Sequence, residues 1–117
     1  WWLAGEQALS ASARDAIADE DNEIAVSAAS AMEIAAKFRI GKLPGAAVLA
    51  HDFEAIIAGQ GFCELPISVH HARLAGGMNI AHRDPFDRML IAQAQAEDRV
   101  LVSKEAMFDA FAIKRLW

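Results

Sequence analysis

Cysteine is nearly absent from this sequence: Cys63 stands alone among 117 residues. One thiol makes no internal disulfide and no zinc cluster, and a reducing cytoplasm is its natural setting. Cys63 falls within Phe62-Cys63-Glu64-Leu65, which reads as a strand, so a buried or edge thiol is expected. No Gly-, Ser- or Pro-rich stretch marks a linker or a tail, and no internal repeat is visible. The apolar runs are broken by charges well short of the roughly 18 residues that a membrane span requires. No signal peptide stands out. Basic residues are in deficit, with 11 Lys and Arg against 16 Asp and Glu and a net charge of −5. That excludes a broad basic surface gripping phosphates by counterion release. It leaves a metal-dependent nuclease open, because carboxylates gathered around divalent cations make the apo-protein acidic.

Several chemistries lack their signatures. His51, His70, His71 and His82 show no His-x-x-x-His or Glu-flanked zinc pattern, and the His70-His71 pair is expected on a surface helix. Ser27, Ser30 and Ser103 have neither a nearby histidine nor a nucleophile elbow. No Gly-rich phosphate loop precedes a helix.

What is present suits one compact domain over residues 1–117, since hydrophobic residues make up 55% of the chain. Trp1 to Ala4 reads as the end of a helix capped by Gly5. Ser10 has the chemistry of an N-cap for a helix over Ala11 to Ala18. Glu23 to Ser27 reads as a short strand. Ser30-Ala31-Met32-Glu33 matches a capping box opening a helix to Ile40, stopped by Gly41 and followed by Pro44. An amphipathic helix is expected from Ala46 to Ala58, with Leu49, Phe53, Ile56 and Ile57 at helical spacing. Phe62 to Leu65 is a strand, and Ser68 to Ala75 a short helix. Asp84-Pro85 opens a helix reaching Glu97, with proline at its first position. Arg99 to Ser103 is a strand, Ala106 to Phe111 a helical turn, and Ile113 to Leu116 a last strand. Short apolar strands alternating with helices predict an α/β fold with helices on a parallel sheet.

Sites in such sheets form at the carboxyl ends of strands, which directs attention to the residues after Ser27 and Ser103. Glu33 follows the first, Glu105 the second, and Asp84 and Asp87 open the Pro85 helix. Gathered carboxylates repel one another, and Mg²⁺ or Mn²⁺ relieves that repulsion. Helix N-termini favour the ionised forms. Each residue also has a plain structural reading. Glu33 serves a capping box and an i,i+4 pair with Lys37. Asp84 is an N-cap, Asp87 a first-turn acid, and Glu105 a solvated loop residue. Lys37, Arg39 and Lys42 form a small basic run, suited to solvent or to RNA phosphates.

Four segments together resemble VapC-type PIN domains. They are Trp1-Trp2-Leu3-Ala4-Gly5; Val26 to Ala35, continued by Gly41-Lys42-Leu43; His82-Arg83-Asp84-Pro85-Phe86-Asp87-Arg88-Met89-Leu90-Ile91-Ala92-Gln93-Ala94; and Leu101-Val102-Ser103-Lys104-Glu105. The third is the most specific. The resemblance implies a three-layer PIN-like α/β fold with a mostly parallel central sheet flanked by helices. It implies that Glu33 and Asp87 are metal ligands, with Glu105 at the fourth acidic position and Asp84 as a helper. It further implies Mg²⁺- or Mn²⁺-dependent cleavage of RNA, toxicity restrained by a small antitoxin, and a homodimer. Two departures from the family pattern stand out. The family's first strand, ending in an aspartate, would precede Trp1, so the chain is expected to be N-terminally incomplete. Glu105 stands where aspartate is usual. An inactive PIN-like interaction module is the alternative that these departures favour. A receiver-like signalling module would need paired acids on an early strand, and this stretch has none.

Overall fold

The computed structural model describes residues 9–41 and 52–117. The expected helix end at Trp1–Gly5, the segment 42–51 with Lys42 and His51, and the start of the helix drawn from Ala46 lie outside them. The chain divides into two compact units: Glu23–Ile67, and the stretches on either side of it.

The Glu23–Ile67 unit is built on a parallel strand pair. Strand β1 (Ala25–Ser27) aligns with β2 (Cys63–Leu65) in the register Ala25 to Cys63, Val26 to Glu64 and Ser27 to Leu65. Helix α2 (Ala28–Arg39) leaves β1 without a loop. The Ser27 hydroxyl accepts the Ala29 N–H at 3.0 Å and so caps the helix. This moves the start of α2 three residues ahead of the expected cap at Ser30, which lies within the helix. The reason is local: Ala28 and Ala29 are the best helix formers and extend the helix to the first hydroxyl on the strand. Gly41 ends the segment as expected, at φ +78°, its N–H donating to the Phe38 carbonyl. Helix α3 (Phe53–Gly59) runs into β2 and buries Ile57. The Cys63 thiol is half-buried, 3.7 Å from Glu23 Oε1.

In the other unit, Ser10 caps α1 (Ala11–Ala18) by accepting the Ala13 N–H, and Ala13 is fully buried. Helices α4 (Val69–Gly77) and α5 (Pro85–Ala96) pack against each other. Small residues, Ala75 on α4 and Ala92 and Ala94 on α5, are among those buried in this unit. The run Ile91 to Ala94 is buried at four successive positions. A one-sided amphipathic helix does not do that, so α5 is covered all round over Ile91–Ala94, before Gln95 and Ala96 return to solvent. Strands β3 (Leu101–Val102) and β4 (Arg115–Leu116) pair in parallel, with a 3₁₀ helix (Ala106–Ala110) between them in sequence. Phe108 on that helix is buried. The helices and parallel strands form an α/β fold. Among the described residues no helix is long and apolar enough to cross a membrane.

His71 departs from expectation. It is buried, 3% exposed, while His70 is exposed. Ser68 accepts the His71 N–H, and His71 Nδ1 accepts the Ser68 N–H, both at 3.0 Å. The result is a capping box whose return partner is an imidazole in place of the usual Glu or Gln, which residue type alone does not announce.

Candidate active site

Helix α5 begins at Pro85, whose missing N–H falls where the helix has no acceptor for it. Asp84 caps it: Oδ1 accepts the Phe86 N–H at 2.9 Å and the Asp87 N–H at 3.2 Å. Asp87 therefore stands in the first turn, where the helix dipole favours a negative charge. Its Oδ2 lies 2.8 Å from His82 Nε2. A carboxylate only accepts, so the imidazole donates. Asp87 Oδ1 and Asp84 Oδ2 take no hydrogen bond among the described residues.

The segment bearing His82 is held by Arg88, one residue beyond Asp87. Its guanidinium donates to the carbonyls of Ala75 at 2.8 Å, Gly76 at 3.4 Å, Met78 at 2.8 Å, Ile80 at 3.3 Å and His82 at 2.9 Å. Ala75 and Gly76 belong to the last turn of α4, whose carbonyls lack intrahelical partners. A cation also suits that end of the helix dipole. Neither His82 nor Arg88 was singled out by spacing. The interaction spans an irregular segment, and nothing in residue type says which carbonyls a guanidinium reaches.

After β3 the chain turns at Ser103, whose hydroxyl accepts the Glu105 N–H at 3.1 Å. Glu105 opens the 3₁₀ helix, its carbonyl accepting from Phe108 N–H at 3.2 Å. Its side chain is exposed and makes no capping bond. Arg115 braces this turn. Nη1 donates to the Ser103 carbonyl at 2.9 Å, while Nε and Nη2 grip Asp109 at 2.8 and 2.9 Å. That fork holds the Asp109 carboxyl below its ordinary pKa of 3.8 and raises that of Arg115, the hydrogen bonds being the main cause.

Glu33 lies in the Glu23–Ile67 unit. It pairs with Lys37 at 3.8 Å, as the i,i+4 spacing predicts. The expectation that it sits in the first turn is corrected. With the cap at Ser27, it is the sixth residue of α2, beyond the reach of the N-terminal dipole, and serves no capping box.

The structure thus brings Asp84 and Asp87 into one helix turn. Among the described residues no three His, Cys, Asp or Glu side chains gather into a group suited to a metal ion. Mg²⁺ keeps several waters and is commonly held by one or two carboxylates. The open oxygens of Asp84 and Asp87, hard donors at a helix N-terminus, fit such a cation in chemistry.

Residues 1–114 match the PIN domain family, and the chain belongs to it. PIN domains are generally nucleases and typically use divalent metal ions. No curated protein and no solved structure matches the chain.

Proposed function

We propose that this PIN domain is an endoribonuclease of the VapC type, cutting RNA phosphodiester bonds with Mg²⁺ or Mn²⁺. In this reading Glu33 and Asp87 hold the metal, with Glu105 and Asp84 in support. The observation that carries it is the Asp87 carboxylate at the start of α5: one oxygen is bound by His82 and the other takes no hydrogen bond among the described residues. A bound divalent ion would lower the pKa of a water and stabilise charge on the phosphodiester. The chain's own residues supply the frame. Asp84 fixes the first turn of α5 through its cap, which holds both aspartates at the helix N-terminus. Ser103 and Arg115 set the backbone from which Glu105 projects. Arg83 and Lys104, exposed and next in sequence to Asp84 and Glu105, are the cations offered to RNA phosphates.

The cellular setting follows the same reading: a toxin of the cytoplasm, restrained by a cognate antitoxin and acting as a homodimer. The test is cleavage of RNA by the protein, carrying any residues encoded ahead of Trp1, with Mg²⁺ or Mn²⁺. Glu33→Gln and Asp87→Asn are each expected to remove cleavage by 100-fold or more, roughly the scale of a lost electrostatic stabiliser. Undiminished cleavage in both variants would remove the site.

A second reading, an inactive PIN-like interaction module, draws on Glu105 in place of the usual aspartate. A folded protein that cuts no RNA with either metal would favour it.

A further inference from the structure

We infer that His82 is a positioning residue for Asp87, and that Arg88 builds the loop that makes it one. The inference rests on the reading of Asp87 as a metal ligand. An aspartate side chain has three staggered wells at χ1 and a broad χ2, so an unrestrained carboxylate at the start of a helix points several ways. A donor fixed in space selects one. His82 Nε2 holds Oδ2 at 2.8 Å, which leaves Oδ1 presented in a single direction.

His82 is itself fixed at both ends. Its carbonyl accepts from Arg88 Nη1 at 2.9 Å. Its ring stands edge-on to Phe111, with centroids 6.3 Å apart and planes at 62°. Phe111 caps the 3₁₀ helix that Glu105 opens. The histidine thus lies between two segments that carry proposed acidic ligands, and its hydrogen bond sets the carboxylate of one. Arg88 matters because it follows Asp87 on the same helix turn. The turn that presents the ligand also anchors residues 75–82, which sets the spacing of the imidazole and the carboxylate. A ligand's outer hydrogen-bond partner typically contributes about 10-fold to 100-fold in metal affinity or activity.

The alternative is that the pair only pins the loop to the helix. Mn²⁺ binding separates the two, read by electron paramagnetic resonance of the free ion, on the protein with any residues encoded ahead of Trp1. His82→Gln keeps an N–H donor at similar reach. His82→Asn keeps polarity but is too short, and His82→Phe keeps the ring against Phe111 without the donor. Positioning predicts that His82→Asn and His82→Phe bind Mn²⁺ about 10-fold or more weakly, with His82→Gln recovering most of the loss. Thermal unfolding, followed alongside, should not rank the variants in the same order. Wild-type Mn²⁺ affinity in all three variants, with binding lost in Asp87→Asn, would overturn the positioning role and leave the metal reading standing. The same holds if affinity follows stability alone. A wild-type protein that binds no Mn²⁺ would overturn both, and is told apart by the Asp87→Asn comparison being flat.

Discussion

His71 Nε2 lies 2.8 Å from Glu97 Oε1, joining the first turn of α4 to the residue that ends α5. The other ring nitrogen accepts the Ser68 N–H, so it carries no proton and the ring donates through Nε2. One buried imidazole therefore closes a helix cap and ties two packed helices.

Replacing His71 with Leu removes both bonds and leaves the Ser68 N–H without its side-chain acceptor. A loss of about 1–3 kcal/mol is expected from the cap and the unpaired polar groups. The urea midpoint measures it. His71→Gln retains the return bond of a capping box and should recover part of the loss. Equal midpoints for wild type and His71→Leu would contradict the tie.

Arg88→Met removes a guanidinium shared among five carbonyls. Hydrogen bonds to a charged group contribute about 1.5–3 kcal/mol each at most, and a shared donor contributes less per bond. The expected destabilisation is about 2–4 kcal/mol in total. Amide exchange should quicken in residues 76–82 before it does so in Ile91–Ala94. Uniform exchange across the unit would show that Arg88 does not anchor that segment.

The corrected start of α2 separates two serines. Ser27→Ala should lose about 1 kcal/mol with the cap. Ser30→Ala, inside the helix, should be neutral or slightly stabilising, because alanine is the better helix former. The reverse order in thermal unfolding would restore the cap to Ser30.

Asp109 contributes a pH dependence to stability. Its folded pKa lies below the ordinary 3.8, so the fork with Arg115 contributes stability above that value. The contribution is lost as pH falls through the lowered folded value, when the carboxyl protonates. Carbon-detected titration of Asp109 should give a midpoint under 3.8, and Arg115→Met should return it upward. An unmoved midpoint in the variant would show that Arg115 is not the cause. Asp109 is exposed and Arg115 partly so, and salt should weaken the effect.

Local chemistry made much of the fold legible. Ser10, Asp84 and Pro85 announced helix starts, and Gly41 a helix end, because caps depend on residues adjacent in sequence. The strands were drawn too long, Arg99–Ser103 against Leu101–Val102 for instance. Val100 is apolar but precedes the first ladder bond, from the Leu101 N–H to the Lys114 carbonyl, and composition alone does not mark where pairing starts. The capping-box pattern at Ser30 was out-competed by Ser27, an ambiguity that two hydroxyls near one helix start always leave. Of the candidate acids, Asp84 and Asp87 were legible as a pair because three residues make one helix turn. Glu33 was legible only in its pairing with Lys37.

The alternation of helices with strands, the capped start of α5 and the identity of its two aspartates are written in adjacent residues. Packing sets the rest: His82 takes one oxygen of Asp87, Arg88 gathers five carbonyls, and His71 goes inside while His70 stays out. Periodicity and capping act over a few bonds and leave their trace in adjacent letters. A side chain's partner across a loop depends on where the backbone returns, which packing fixes and no short stretch of residues encodes.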